Sequence, residues 1–398
     1  MLTVEMLSTG DEVLHGQIVD TNAAWLADYL FTQGLPFTRR NTVGDDLDCL
    51  IAILQERSTE ADVVIVNGGL GPTSDDLSAL AAARAAGVEL ELQASWLEHM
   101  TRFFESRGRV MAPSNRKQAM IPAGSEMLDN PVGTACGFAL TLNRCTFFFT
   151  PGVPSEFKVM VEKEILPRIQ QRFELPAPPV CLRLTTFGRS ESDLAQSLSH
   201  LNLPDGVVMG YRSSMPIIEL KLTGPASQRA QMEALWPEVR QVAGESLIFE
   251  GTLGLPGLLA ESLRARDLRL CVSEQFTAGL LSLELNQAGA PLADGEVLAP
   301  RAESLAEIAA RARALSQAAD GALALVTGAH QDDSLLFALH SDAGSRAIRV
   351  QLSLANHRLP VRQAVASMIA QNMLRRLLNG DDVSQGHGWV RVTERLTL

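Results

Sequence analysis

The chain has 398 residues, of which 46% are apolar and 20% are charged, and it carries a net charge of −12. This length and composition predict two or three folded domains and exclude a chain that is disordered throughout. The acidic balance argues against a protein that binds nucleic acid through a basic face. Five cysteines without CxxC spacing, an early acidic N-terminus and no long uncharged apolar run predict a cytoplasmic protein with reduced thiols and no membrane partner.

The first 168 residues or so alternate between strand and helix patterns. Strands are predicted at 2–7, 37–42, 62–67 and 147–150, and helices at 21–33, 46–56 and 77–86. Such alternation predicts an α/β domain with a mostly parallel sheet and helices on both faces. Ligands of these sheets bind beyond the carboxyl ends of the strands, so residues that follow the strands are the first candidates for a site.

A proline-rich stretch, LPAPPV, is the predicted linker at 175–180. We therefore predict a first domain at 1–170, a small α+β middle domain at 177–250, a third α/β domain at 251–380 and a tail at 381–398. The polar tail is compatible with a mobile segment or with a late strand formed by WVRVTERLTL. An alanine-rich helix is predicted at 302–319, and its apolar side would need cover, so we predict a homodimer.

The stretch NGGLGPTSDDL follows the third predicted strand with a glycine-rich turn, Gly68, Gly69, Gly71, Pro72 and Thr73. Backbone N–H groups of such a turn, together with the next helix N-terminus, can bind an anion. The spacing is neither that of a P-loop nor GxGxxG. Asp75 and Asp76 fit either of two roles: acids in the first turn of the helix, which its dipole favours, or ligands of a divalent cation beside a phosphate.

Acidic residues also follow two other predicted strands. Asp11 and Glu12 come after the first, and VGDD places Asp45 and Asp46 after the second. Because the strand ends share one edge, the acids and the glycine-rich turn together predict a metal-assisted phosphate site. Thr21 or Asn22 is read instead as the N-cap of the first long helix.

Two later stretches are candidates for contact with the ligand. SNRKQAMIP contains Asn115, Arg116 and Lys117, which would clamp a phosphate or else lie on a solvated surface. TPGVPSEFKVM forms a rigid turn after a buried strand and brings Glu156 to the start of a helix. No HExxH spacing or Ser-His-Asp arrangement is present, which argues against a zinc hydrolase.

Several motifs in this order resemble the competence/damage-inducible CinA family: TGDEVLHGQIVDTNA, VGDD, NGGLGPTSDDL, NRKQAMIP, NPVGTACGFAL and TPGVPSEFKVM. The resemblance is dense over residues 1–168 and continues in TFGRSESDLAQSL of the middle domain. It implies a first domain similar to the molybdopterin-binding proteins of molybdenum-cofactor biosynthesis. It also implies two activities: a metal-dependent pyrophosphatase acting on ADP-ribose and related nucleotides in the first domain, and a nicotinamide mononucleotide deamidase in the third.

Carried onto this sequence, the resemblance places the glycine-rich turn and Asp76 in a nucleotide pocket with Glu12 and Asp11 nearby, while Asn67 replaces the usual threonine. We predict hydrolysis of ADP-ribose to AMP and ribose 5-phosphate with Mg, Mn or Co as cofactor. The predicted roles are as follows: catalysis by Asp76, Glu12 and Lys117; metal binding by Asp76, Asp45 and Asp11; substrate binding by Gly68, Gly69, Gly71, Pro72, Thr73, Asn115, Arg116 and Glu156. The alternatives are a nucleotide- or pterin-binding protein or scaffold without turnover and, more weakly, adenylylation of molybdopterin.

The third domain departs from the family at its reactive positions. The deamidase pattern A-E-S-C-T-G-G reads SEQFTAG here, so Gln275 stands where the serine nucleophile should be. Ala299 and Ser304 replace the tyrosine and lysine of a downstream pattern. A serine nucleophile needs both its hydroxyl and a group that takes the proton. We therefore predict that the third domain folds but is inactive as a deamidase.

Overall fold

The computed structural model describes residues 2–352, 356–386 and 388–398, and the chain forms two compact units, Met1–Pro179 and Val180–Leu398. The break falls in the predicted linker. The predicted middle and third domains both lie in the second unit, so the boundary between them stays a prediction.

The first unit holds eight strands and seven α-helices within its described residues. Its elements are β1 (Val4–Thr9), α1 (Asp11–Leu14), α2 (Thr21–Thr32), β2 (Arg39–Val43), α3 (Leu47–Glu60), β3 (Val63–Asn67), α4 (Ser78–Ala86), β4 (Leu90–Leu92), α5 (Ala94–Glu105), β5 (Met120–Pro122), β6 (Glu126–Leu128), β7 (Gly137–Leu142), β8 (Cys145–Thr150), α6 (Pro154–Met160) and α7 (Leu166–Arg172). A 3₁₀ helix spans Pro113–Ala119, and a π-helical turn joins α6 to α7.

The main sheet of this unit has the strand order β2-β1-β3-β8-β7-β6 within the described residues. The first four strands are parallel and the last two are antiparallel, which confirms the predicted α/β class. The parallel strands end at Thr9, Val43, Asn67 and Thr150, which lie in register at one edge. The predicted site residues that follow three of these strands are therefore brought to the same edge.

Apolar residues cover both faces of the sheet. On one face, α3, α4 and α5 contribute Leu54, Ala81 and Trp96 to one buried cluster. On the other, α2 and α6 contribute Leu26 and Phe157 to a second cluster. Strand β3 is buried throughout, as expected for a strand with helices on both sides. The sheet is therefore packed between two apolar cores.

Side-chain caps begin the two helices nearest that edge. The Asp20 carboxylate accepts a hydrogen bond from the Ala23 N–H at 2.8 Å, so Asp20 is the N-cap of α2, and the prediction of Thr21 or Asn22 was wrong. Asn22 lies inside the first turn of the helix, and its side chain is left for other contacts. Asp46 caps α3 in the same way through the Cys49 N–H.

The second unit begins with an antiparallel sheet and continues with a mixed one. Its elements are β9 (Val180–Phe187), α8 (Glu191–Leu198), β10 (Val208–Ser214), β11 (Ile217–Gly224), α9 (Arg229–Ala243), β12 (Leu247–Glu250), α10 (Gly254–Ala265), β13 (Leu270–Glu274), α11 (Leu280–Gln287), β14 (Leu292–Val297), α12 (Leu305–Ala318), β15 (Leu323–Gln331), β16 (Ser334–Ser341), β17 (Gly344–Gln351), α13 (Leu359–Asn379) and β18 (Arg391–Thr397). The sheet orders are β10-β11-β9-β12 and β14-β13-β15-β16-β17-β18.

Two features of this unit bear on the sequence predictions. The tail contributes β18, which pairs with β17, so the late strand formed and the alternative of a mobile segment was wrong. The buried face of α12, with Ile308, Ala309 and Ala312, packs in one core with β15 and β16. Because the chain itself covers that helix, the helix gives no reason to expect a dimer. The homodimer remains a prediction. Across the described ranges, every helix is too short or too polar to cross a membrane.

Candidate functional site

A cavity of about 470 Å³ opens at the carboxyl edge of the parallel strands in the first unit. It is bordered by the ends of β1, β3 and β8, by the glycine-rich turn and by the segment between α1 and α2. Its lining includes six carboxylates: Glu12, Asp20, Asp45, Asp75, Asp76 and Glu156. Within the described residues, neither lysine nor arginine lines it. The cavity is therefore strongly acidic.

The glycine-rich turn lies against the end of β8. Gly68 and Gly69 have φ angles of 114° and 67°, which favour glycine over any residue with a side chain. The Gly68 N–H donates to the Thr150 carbonyl at 2.9 Å, and the Ser78 hydroxyl donates to the Gly68 carbonyl at 2.8 Å. These bonds fasten the start of the turn to β8 and α4 and leave the following backbone at the cavity wall.

Asn67 joins three elements beneath this turn. Its Nδ2 donates to the Pro151 carbonyl at 2.8 Å, and its Oδ1 accepts from Asn22 Nδ2 at 3.0 Å. Asn22 Nδ2 also donates to the Gly152 carbonyl at 2.8 Å. The amide thus makes contacts that the threonine usual at this position could not make with a single hydroxyl. Asn22 Oδ1 is buried and has no hydrogen-bond partner among the described residues.

Asp76 closes the turn from its other end. Its Oδ2 accepts hydrogen bonds from the Thr73 N–H at 2.8 Å and from the Thr73 hydroxyl. The ammonium of Lys117 donates a hydrogen bond to the Thr73 carbonyl. This basic residue therefore contacts the turn through its backbone.

Asp11 and Asp45 hold each other. The Asp11 N–H donates to Asp45 Oδ2 at 3.1 Å, and the Asp45 N–H donates to Asp11 Oδ1 at 3.2 Å. Burial is the largest cause, and it raises the pKa of the Asp45 carboxyl. The hydrogen bond from the Asp11 N–H lowers this pKa, whereas the negative charges of Asp11, Glu12 and Asp75 raise it further. Like charges gathered in this way favour a bound cation.

The acids fit the predicted divalent cation only in part. Among residues 2–352, 356–386 and 388–398, no three acidic, histidine or cysteine side chains are grouped as a complete metal site. Magnesium, however, is commonly held by one or two carboxylates together with waters and phosphate oxygens of the substrate. The donor set fits a cation that arrives with a phosphate and does not fit one bound by protein alone.

We expect Asp45→Asn to raise the melting temperature in metal-free buffer at pH 7. Because the folded-state pKa of Asp45 is raised, its ionisation removes stability as pH rises from about 4 through that pKa. The gain should therefore shrink as pH falls toward 4. Millimolar Mg²⁺ supplied together with ADP should stabilise the wild type more than the variant. Thermal unfolding measures both effects, with the exposed Asp48→Asn as control. An equal response of wild type and variant to Mg²⁺ with ADP would contradict a cation at Asp45.

Glu156 lies at the opposite wall of the cavity. Asn130 Nδ2 donates to its Oε2 at 2.7 Å and also to the Ala135 carbonyl at 3.0 Å. A Cβ on Gly133 would lie 1.9 Å from Glu156 Oε2, so only glycine at that position leaves room for the carboxylate. The loop 130–135 therefore positions Glu156.

The structure brings most of the predicted site residues together. Eight line the cavity: Glu12, Asp45, Gly68, Gly69, Gly71, Pro72, Asp76 and Glu156. Asp75, which the sequence offered as either a helix acid or a cation ligand, lines it as well. Five do not: Asp11, Thr73, Asn115, Arg116 and Lys117. Asp11 and Thr73 contact residues of the wall, and Asn115 donates to Gln118 Oε1 at 2.8 Å.

Sequence reasoning missed several lining residues, among them Ser8, Thr9, Gln118, Thr134 and Gly152. The sequence prediction selected Asn115, Arg116 and Lys117 from the basic stretch and did not include the neighbouring Gln118. It is buried, and its Oε1 accepts from Thr134 at 3.3 Å. Part of SNRKQAMIP forms a short 3₁₀ helix, with Gln118 on its buried side and the charged side chains elsewhere. This difference between the two sides was the signal that could have identified Gln118.

In the second unit, Gln275 and the residues around it fill the position of the family's nucleophile. Gln275 is 2% exposed; its Nε2 donates to Glu303 Oε2 at 2.8 Å, and its Oε1 accepts from the Arg301 N–H at 2.9 Å. Arg311 pairs with Glu303 at 2.6 Å and donates to Ser273 Oγ at 2.5 Å. The result is a closed, paired network.

The other serines near this position are also engaged. Ser273 is fully buried and donates to Glu296 Oε1 at 2.7 Å. Ser282 donates to the buried carboxylate of Glu274, which also accepts the N–H groups of the first turn of α11. Ser304, at the family's lysine position, is the N-cap of α12 and forms a capping box with Glu307. These hydroxyls serve local structure.

The chain is similar to several known proteins. Residues 5–171 match the family model described as "Probable molybdopterin binding domain". A "CinA-like protein" of Escherichia coli O9:H4 (strain HS) is 63% identical over 398 residues, which is 100% of each chain. A protein of Escherichia coli (strain K12) named "NMN amidohydrolase-like protein YfaY" shows the same identity and coverage. The solved structure of CinA from Thermoplasma acidophilum is 29% identical and covers 43% of this chain and 96% of its own, with a TM-score of 0.38.

The first unit is thus an α/β domain similar to the molybdopterin-binding family model, with an acidic cavity at its strand ends. The whole chain belongs to the CinA-like protein family, as the full-length identity shows. This confirms the resemblance predicted from the sequence motifs.

Proposed function

We propose that the first unit hydrolyses a nucleotide diphosphate linkage with a divalent cation, and that ADP-ribose and water give AMP and ribose 5-phosphate. The observation that carries this proposal is the lining of the cavity: six carboxylates beside a glycine-rich turn, without lysine or arginine among the described lining residues. A diphosphate would be repelled by these charges unless it entered with a cation. The acids and the turn are therefore matched to a metal-bound diphosphate.

Each group of residues has a role in this proposal. Asp76 and Asp45 would hold the cation together with diphosphate oxygens, and Asp11 would orient Asp45 through their two hydrogen bonds. When bound, the cation supplies charge neutralisation and polarises a phosphoryl oxygen. The free N–H groups of the turn would bind the phosphate oxygens.

Glu12 is the candidate general base. It lines the cavity, and its carboxylate accepts no hydrogen bond from the part of the chain that the structure describes. An unengaged carboxylate next to a bound diphosphate can orient a water and accept its proton. Lys117 lies at the outer side of the turn through the Thr73 carbonyl, where it would offset charge on the leaving phosphate.

We propose further that the second unit does not deamidate nicotinamide mononucleotide. The support is the paired network of Gln275, Glu303 and Arg311, which occupies the nucleophile position. Exchange of one residue would not restore a deamidase site. Ser304, at the family's lysine position, is a helix cap and cannot supply a base. The name of the Escherichia coli relative describes a likeness to an amidohydrolase, and the residues here argue for its structure without its chemistry.

The test is AMP release from ADP-ribose by the purified full-length protein, with Mg²⁺, Mn²⁺ or Co²⁺ and with a chelator. We expect metal-dependent AMP, and Asp76→Asn should lower the rate by about 100-fold with the fold intact. The exposed Asp48→Asn is the matched control and should retain the wild-type rate.

Nicotinamide mononucleotide, assayed for ammonia release in the same preparation, should not react. Full activity of Asp76→Asn would contradict the metal assignment. Nucleotide binding without turnover of ADP-ribose would instead support the alternative of a binding protein.

A further inference from the structure

Three apolar side chains border the acidic cavity and are open to solvent. Ile18 is 53% exposed, Val19 is 82% exposed and Val153 is 49% exposed, and all three line the cavity. Ile18 and Val19 lie between α1 and α2, whereas Val153 comes just before α6. We call Ile18, Val19 and Val153 the apolar rim. They come from distant parts of the chain, and the fold brings them to the same cavity.

The apolar rim and the carboxylates give the cavity two chemically different parts. The carboxylates, such as Glu12 and Asp76, require a cation and an anionic group. The rim offers hydrophobic contact without directional hydrogen bonds, and exposed aliphatic side chains gain stability when an apolar surface covers them. The matching ligand is amphipathic, with a charged end and an apolar end.

We propose that the apolar rim holds the nucleobase of the nucleotide. This inference rests on the proposed function only in that a nucleotide with a diphosphate occupies the cavity. The turn Gly68–Thr73 and the acids take the diphosphate and its cation, and the base extends outward between Val153 and the segment that carries Ile18 and Val19. Because aliphatic contact is not directional, the rim recognises the presence of a base more strongly than its identity.

The test compares two ligands that share a diphosphate, of which only one carries a nucleoside. Binding of ADP and of inorganic pyrophosphate, each with Mg²⁺, is measured by calorimetry on the full chain. The double variant Ile18→Ser/Val19→Ser should bind ADP about tenfold more weakly and pyrophosphate equally well. GDP should behave as ADP does.

Val110→Ser is the matched control, because Val110 is 95% exposed and lies outside the cavity lining. It should leave both affinities unchanged. Val153→Ser provides a second variant from the opposite side of the rim, and we expect it to weaken ADP about threefold. Melting temperatures and size measurements accompany each variant to show that fold and oligomeric state are kept.

Equal weakening of ADP and pyrophosphate, or unchanged ADP binding, would overturn the inference. Dissociation of an oligomer by the double variant with unchanged ADP affinity would also overturn it and assign the rim to a second copy of the chain. A base-dependent loss in a protein that does not hydrolyse ADP-ribose would refute the proposed hydrolysis and leave the inference standing. Failure of the wild type to bind either ligand would overturn both.

Discussion

Replacing Arg57 by methionine should lower the free energy of unfolding by about 3–5 kcal/mol. Arg57 is 1% exposed and lies beneath the main sheet, with its Nη1 3.2 Å from Glu5 Oε1. Its Nη2 also pairs with Glu56 and Glu60. Glu5 is 4% exposed, so removal of the guanidinium leaves its carboxylate buried without a paired charge. Among the described residues, the remaining contact of that carboxylate is a hydrogen bond from the Asn41 amide. The cost is that of an unpaired buried charge.

Urea unfolding of the first unit within the full chain measures this loss. The double variant Arg57→Met/Glu5→Leu should recover most of the stability, because it removes both charges and fills the space with apolar atoms. Arg102→Met is the matched control: Arg102 pairs at 3.9 Å with Glu98 on an exposed face, where such pairs contribute less than about 1 kcal/mol. A loss below about 1 kcal/mol for Arg57→Met would show that Glu5 reaches water.

The second large effect is on activity, and it concerns Gly71. A Cβ at this position would lie 2.4 Å from Asp76 Oδ2 and 2.8 Å from Asp76 Cγ. The Gly71 backbone is outside the left-handed region, so alanine can adopt it, and the strain falls on the Asp76 carboxylate. We expect Gly71→Ala to lower the rate of metal-dependent ADP-ribose hydrolysis by roughly 100-fold with little change in melting temperature.

Two comparisons separate this effect from a loss of fold. Gly210→Ala is the control glycine, since a Cβ there meets its nearest atoms at 3.8 Å, an ordinary contact. The double variant Gly71→Ala/Asp76→Asn should be no less active than Asp76→Asn alone, because both changes act through one carboxylate. Additive losses would contradict a role of Gly71 through Asp76.

Strand and helix patterns carried much of the fold prediction. The continuous apolar run of β3 and the glycine after α2 were readable because burial on two faces and helix termination leave local signatures. Strand β6 was not found, since it has only three residues and its pairing partner is β7. Strand β7 was also missed, although it pairs with β8 across a hairpin turn of two residues, Asn143 and Arg144. The buried Arg57 was also unreadable: one arginine in an amphipathic helix looks like any solvated charge.

The sequence by itself determined the alternation of strands and helices that defines the first unit, the glycine-rich turn, the acids that follow the strands and the loss of the deamidase nucleophile at Gln275. These are local properties, set by periodicity, by backbone freedom and by residue identity. Only the tertiary structure decided which of those acids line one cavity, that Gln118 belongs to the wall while Arg116 does not, and that Ile18 and Val153 meet at its rim. Such placements bring together residues that are distant in the chain, and they follow from strand order and register, which no local pattern encodes.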